Sequence, residues 1–171
     1  MRRPPAPFLA VSQWGEAQPL GPVVVVAARV DDRYARSLDA RPLTRWPLWS
    51  AERLLEEGRR IGSVVAYDMV VLAPRKWNQL LTKVGSRARV LDWAYRTAIK
   101  SMLSAHDDCA GLMIDRRTPG FAVLETELPS LSGGRPLIYV AAESPDPVLE
   151  ATGLLARQGA IEAQGRLERR H

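Results

Sequence analysis

The chain has 171 residues, 46% of them hydrophobic and 25% charged, proportions that fold around one core and exclude wholesale disorder. Lys and Arg outnumber Asp and Glu by 24 to 19, and the net charge of +5 suits a polyanionic partner without requiring one. Cys109 has no second cysteine to pair with, and no apolar run approaches the roughly 20 residues that span a bilayer. A soluble, cytoplasmic monomer with no membrane partner is therefore expected.

Residues 1–7, with Arg2, Arg3 and three prolines, read as a flexible basic arm ahead of a domain over 8–165 and a basic tail over 166–171. No apolar stretch of signal-peptide length follows the two arginines. Phe8 to Gln13 is a short apolar strand, and Gly15 to Pro22, with two glycines and two prolines, must turn. Val23 to Ala28 is an unbroken apolar run headed by four valines, the mark of a strand buried on both faces. Arg29 to Pro47 reads as a polar connection. Ser50 then caps a helix with Glu52 in its first turn, ended by Gly58 to Gly62.

Val64 to Leu72 is a third strand, and Pro74 opens a helix with Trp77, Leu80 and Leu81 on its inner side. Val90, Leu91, Ala94, Ala98, Met102 and Leu103 recur at helical spacing. Gly111 to Ile114 is a short buried strand ending at Asp115, and Leu137 to Val140 is another ending near Glu143. Asp146 can cap a last helix with Pro147 at its first position, running through Leu154, Leu155 and Ile161. A hairpin-like start followed by strand–helix alternation predicts an α/β fold, a mixed sheet covered by helices.

Chemistry concentrates in the acids at strand ends. Glu16 follows the first strand, Asp115 closes the fourth and Glu143 the fifth. Parallel neighbours present their carboxyl ends on one edge, where sites in open α/β sheets form. Acids meeting there repel unless a hard divalent cation neutralises them, whereas acids flanking strands elsewhere are merely solvated.

Several segments bear on that choice. Trp14-Gly15-Glu16-Ala17 leads to Leu20-Gly21-Pro22 and the valine run. Leu38-Asp39-Ala40-Arg41-Pro42-Leu43-Thr44 precedes the charged helix, Leu112-Met113-Ile114-Asp115 forms a strand, and Glu143-Ser144-Pro145-Asp146-Pro147 precedes Ala151, Leu155, Ala156 and Arg157. In this order they resemble the ribonuclease HII family over most of the chain from Leu9 to Arg157. The resemblance implies a ribonuclease H-like five-stranded mixed sheet flanked by helices. It also implies a Mg2+- or Mn2+-dependent endonuclease acting on the RNA strand of RNA–DNA hybrids or on ribonucleotides in DNA. Glu16, Asp115 and Glu143 would fill three of the family's four acid positions as catalytic metal ligands.

This sequence departs from the family's pattern in five places, one of them Glu143, which stands where the family has the shorter Asp. The first acid position falls on Gly15, so Gly15→Asp is expected to raise metal affinity. Gln18-Pro19-Leu20 replaces the Gly-Arg-Gly that senses the ribose hydroxyl. The family's tyrosine aligns with Asp146, either a substitute ligand or a helix cap, and the chain stops at His171, before much of the helical tail of longer relatives.

The remaining candidates read as structural. Asp68 lies mid-strand, His106 in a solvated loop, and Cys109 reads as a small buried hydrophobe. Ser12, Ser50 and Ser144 lack a nucleophile elbow, and Gly133-Gly134-Arg135 lacks the Lys-Ser or Lys-Thr of a phosphate loop. Arg75, Lys76, Lys83, Arg87, Arg89 and Arg96 with Trp77 form either a surface that follows phosphates and stacks a base, or a solvated face over a core tryptophan. Trp46 and Trp49 read as a packed loop. The functional expectation is a ribonuclease HII-like nuclease. The alternatives are a catalytically inactive nucleic-acid-binding protein of the same fold and, below it, a protein-binding scaffold.

Overall fold

The computed structural model describes residues 4, 6–15, 21–31, 64–115, 137–142 and 147–169. Its strands are β1 (Phe8–Trp14), β2 (Val23–Val30), β3 (Val64–Leu72), β4 (Gly111–Asp115) and β5 (Ile138–Ala142). Its helices are α1 (Pro74–Val84), α2 (Arg87–Ala105) and α3 (Pro147–Arg169). The expected helix at Ser50, the segment Leu38 to Thr44, Trp46, Trp49 and the Gly133-Gly134 loop lie outside the described residues.

One five-stranded sheet runs in the order β3-β2-β1-β4-β5. β1 pairs antiparallel with β2, Phe8 opposite Val30 and Trp14 opposite Val24, and β2 pairs antiparallel with β3. On its other side β1 pairs parallel with β4, Val11 beside Ile114, and β4 pairs parallel with β5, Asp115 beside Ala142. This is the mixed, helix-flanked sheet expected for a ribonuclease H-like fold.

The valine run works as its composition predicts. Val23, Val25 and Ala27 enter the core shared with α1 and α2, where Trp77, Tyr95, Ala98, Ile99 and Met102 are buried. Val24, Val26 and Ala28 face the opposite way onto Leu155, Ala156 and Ala160 of α3. A strand covered on both faces has no polar side, hence the unbroken string. Ser86 caps α2 by accepting the Arg89 N–H at 3.2 Å. On the α3 face, the Ser12 hydroxyl donates to the Leu149 carbonyl at 3.1 Å. Further along, Gly159 lets the helix ride close to β2 and β3. A Cβ at that position would stand 2.7 Å from the Met69 sulfur.

β2 runs two residues past its expected end. Arg29 stays in register opposite Ala66, with a bulge before Val30, and its charged head reaches a partner described below.

Candidate functional site

The register brings the carboxyl ends of β1, β4 and β5 to one edge of the sheet. β2 starts and β3 ends at the same edge, with Val23 opposite Leu72. Asp115 is the last residue of β4, and β5 ends at Ala142, immediately before residue 143. Glu16, Glu143 and Asp146 lie outside the described residues. Hard carboxylate oxygens are the donors that Mg2+ and Mn2+ favour, so Asp115 suits such a cation in kind. Among the described residues, no three His, Cys, Asp or Glu side chains gather as a metal site.

The end of β1 is built differently. Gly15 takes φ +92°, the left-handed region, and a Cβ there would lie 2.6 Å from the backbone oxygen of Pro22 and 3.3 Å from the Val23 Cα. Only glycine fits without moving main chain. The expected gain in metal affinity from Gly15→Asp is therefore corrected: the backbone has no room for that carboxylate. Gln13 holds this conformation, its amide N–H donating to the Gly15 carbonyl at 2.7 Å. The hydroxyl of Tyr95, fully buried in α2, donates to the Gln13 Oε1 at 2.9 Å. The core thus reaches the edge through one side chain. Sequence reasoning missed this role of Gln13 and Tyr95: Tyr95 sits on the apolar stripe of its helix and reads as core, and nothing local links it to a side chain 82 positions away.

Trp14, beside Gly15, is 44% exposed. The guanidinium of Arg157, itself exposed on α3, stands 5.5 Å from the centroid of its ring. This pair was also missed.

The α1–α2 hairpin resolves the two readings of the basic region. Trp77 is buried in the core, so it is no stacking platform. Arg75, Lys76, Lys83, Arg87, Arg89 and Lys100 are exposed, and Trp93 of α2 is 41% exposed among them. Arg96 is taken up by Asp92, one turn earlier, at 2.9 Å. From Pro74 to Ala105 there are seven basic residues and one acid, so the hairpin carries +6 where the whole chain carries +5.

Three other candidates take structural roles. Asp68 is half-buried and accepts the N–H of its neighbour Met69 at 2.8 Å. Cys109 is buried as expected. His106 is not a solvated loop residue: half-buried, its Nδ1 accepts from Arg29 at 3.2 Å, and Arg29 grips Asp108 at 2.6 and 2.7 Å. That bond holds the Asp108 carboxyl below its ordinary range. The cluster lies at the sheet end away from Asp115. No described helix is long and apolar enough to cross a membrane.

Comparison with known proteins fits this geometry. Ribonuclease HIII of Chlamydia felis is 26% identical over 166 residues, 96% of this chain and 55% of that protein. The Chlamydia abortus enzyme of the same name is 24% identical over 165 residues. The ribonuclease HII in the PCNA complex of Archaeoglobus fulgidus superposes with a TM-score of 0.69 at 17% identity, over 95% of this chain and 76% of that one. The chain resembles ribonucleases HIII in sequence and shares the fold of ribonucleases HII and HIII.

Bst-RNase HIII in complex with Mn2+ matches this chain with a TM-score of 0.67 at 17% identity, over 95% of this chain and 55% of that one. The sequence-similar relatives are thus named HIII, while solved neighbours include both types. No protein-family profile matches the sequence. The chain spans about half the length of the curated relatives it matches, 55% in each of the first two.

Proposed function

We propose that this ribonuclease HII/HIII relative engages nucleic acid at the carboxyl edge of its sheet. It cleaves there as a Mg2+- or Mn2+-dependent endonuclease, acting on the RNA strand of RNA–DNA hybrids or on ribonucleotides in DNA. The supporting observation is the parallel β1–β4–β5 register, which sets Asp115 on the edge where β1 and β5 also end. Glu16, Asp115 and Glu143 would hold the cation, with Asp146 as a further ligand. A bound divalent cation supplies an activated water and neutralises charge on the leaving oxygen. The α1–α2 hairpin, at +6, supplies the phosphate-tracking surface.

A specific observation favours a second reading, binding without turnover. Position 15 cannot carry an acid in this backbone, and a misplacement of about 1 Å in a catalytic constellation can cost 100-fold in rate. Incubation of the protein and of Asp115→Asn with an embedded-ribonucleotide duplex and Mn2+ separates the two. Cleavage by the parent, reduced at least about 100-fold in the variant, is the expected result. Equal traces from both would mark contamination and leave the binding reading. Hybrid binding that falls steeply with salt then supports the binding protein, and no binding at low salt overturns both.

A further inference from the structure

β1 alternates as a strand must: Phe8, Ala10, Ser12 and Trp14 point to the α3 side. The first three are buried, and Trp14 is 44% exposed. An indole half-open at a strand end offers an aromatic face on which a flat ligand can stack. Arg157, 5.5 Å from its ring centroid, carries a group that also pairs with phosphate in a planar, bidentate way. An aromatic plane beside an exposed guanidinium matches a base and its phosphate, and the chain's +5 charge favours a polyanion.

We infer that Trp14 and Arg157 form a contact for one nucleotide of a bound nucleic-acid strand. Trp14 stacks the base and Arg157 holds an adjacent phosphate, with no metal taking part. This rests on the nucleic-acid half of the proposed function and is independent of cleavage. Arg157 faces Trp14 from α3 while Gln13 and Tyr95 shape the neighbouring turn from α2, so the two helices meet the end of β1 from opposite faces.

The test is equilibrium binding of a labelled single-stranded oligonucleotide without divalent cations, across a salt series. Trp14→Leu should weaken binding about tenfold, and Trp14→Phe, which keeps a smaller ring in place, should fall between it and the parent. With an abasic strand of equal length, parent and Trp14→Leu should bind alike, because there is no base to stack. Arg157→Gln should lower the slope of log affinity against log salt by about 0.7, one phosphate contact on a single strand, while Arg157→Lys restores it. Parent-like affinity and slope in both Trp14→Leu and Arg157→Gln would overturn this contact while leaving the α1–α2 surface standing. A parent that binds no oligonucleotide at low salt would overturn both.

Discussion

The two ends of the sheet are tied by different chemistry. At the carboxyl end of β1, a neutral relay from Tyr95 through Gln13 to the Gly15 carbonyl sets the path of the main chain. At the opposite end, a charged one ties Arg29 of β2 to Asp108 and His106 before β4. Neutral bonds rooted in a buried tyrosine resist salt and pH, and suit a turn whose shape must not vary. The charged tie is open to solvent at Asp108, 56% exposed, so it is screened and titratable. Shape is defended at the end where Asp115 sits, and only anchorage at the other.

The largest effect should come from position 15. Gly15→Asp must place a side chain at φ +92° and move the Pro22 carbonyl, at a cost of about 3 kcal/mol of stability. Gly15→Ala should lose nearly as much, which separates backbone strain from charge. Denaturant unfolding measures both, and calorimetric titration with Mn2+ should show no tighter binding for the aspartate variant. A stable Gly15→Asp protein that gains Mn2+ affinity would break the contrast, because the turn would then be plastic.

Next comes the relay itself. Tyr95→Phe keeps the ring and removes the donor, leaving the Gln13 Oε1 with one fewer partner, at about 1 kcal/mol. Crossing it with Gln13→Leu in a double-mutant cycle should show a coupling of about 1 kcal/mol, unchanged between low and high salt. A coupling that vanishes with salt would mean that the relay is no more insulated than the charged tie.

The sequence displays the sheet because burial writes itself into composition. A strand covered on both faces keeps its valines unbroken, and Trp77, Leu80 and Leu81 recur at the helical spacing that places them against the core. The end of β2 was hidden because Arg29 looks like loop chemistry; only its partner, 79 positions away, explains a charged residue inside a strand. Asp115 was legible as a strand terminus. The rebuilt end of β1 was not. Gly15 reads as a missing acid that could be restored until its φ and the Pro22 carbonyl are seen together, and nothing in the chain joins Trp14 to Arg157 before α3 crosses the sheet. Local patterns record what is buried; contacts made at long separation leave no local pattern.

The smallest effect belongs to the charged tie and is a matter of pH. Hydrogen bonding to Arg29 lowers the Asp108 carboxyl below its ordinary value of 3.8, so the folded state favours the ionised form more than the unfolded chain does. The stabilisation is therefore complete above the unfolded value and is lost as pH falls through the lowered one. Arg29, raised by the same bond, stays charged throughout and adds nothing to that window. Urea midpoints for the parent and Asp108→Asn should differ near neutrality and converge once acid has protonated the carboxylate, and high salt should narrow the neutral difference. Gln13→Leu, by contrast, should keep its deficit across the same range, because no group in the neutral relay carries a charge there. If both deficits shrank together in acid, the two ends would share one titration, and the division between a shaped end and an anchored end would have no physical basis.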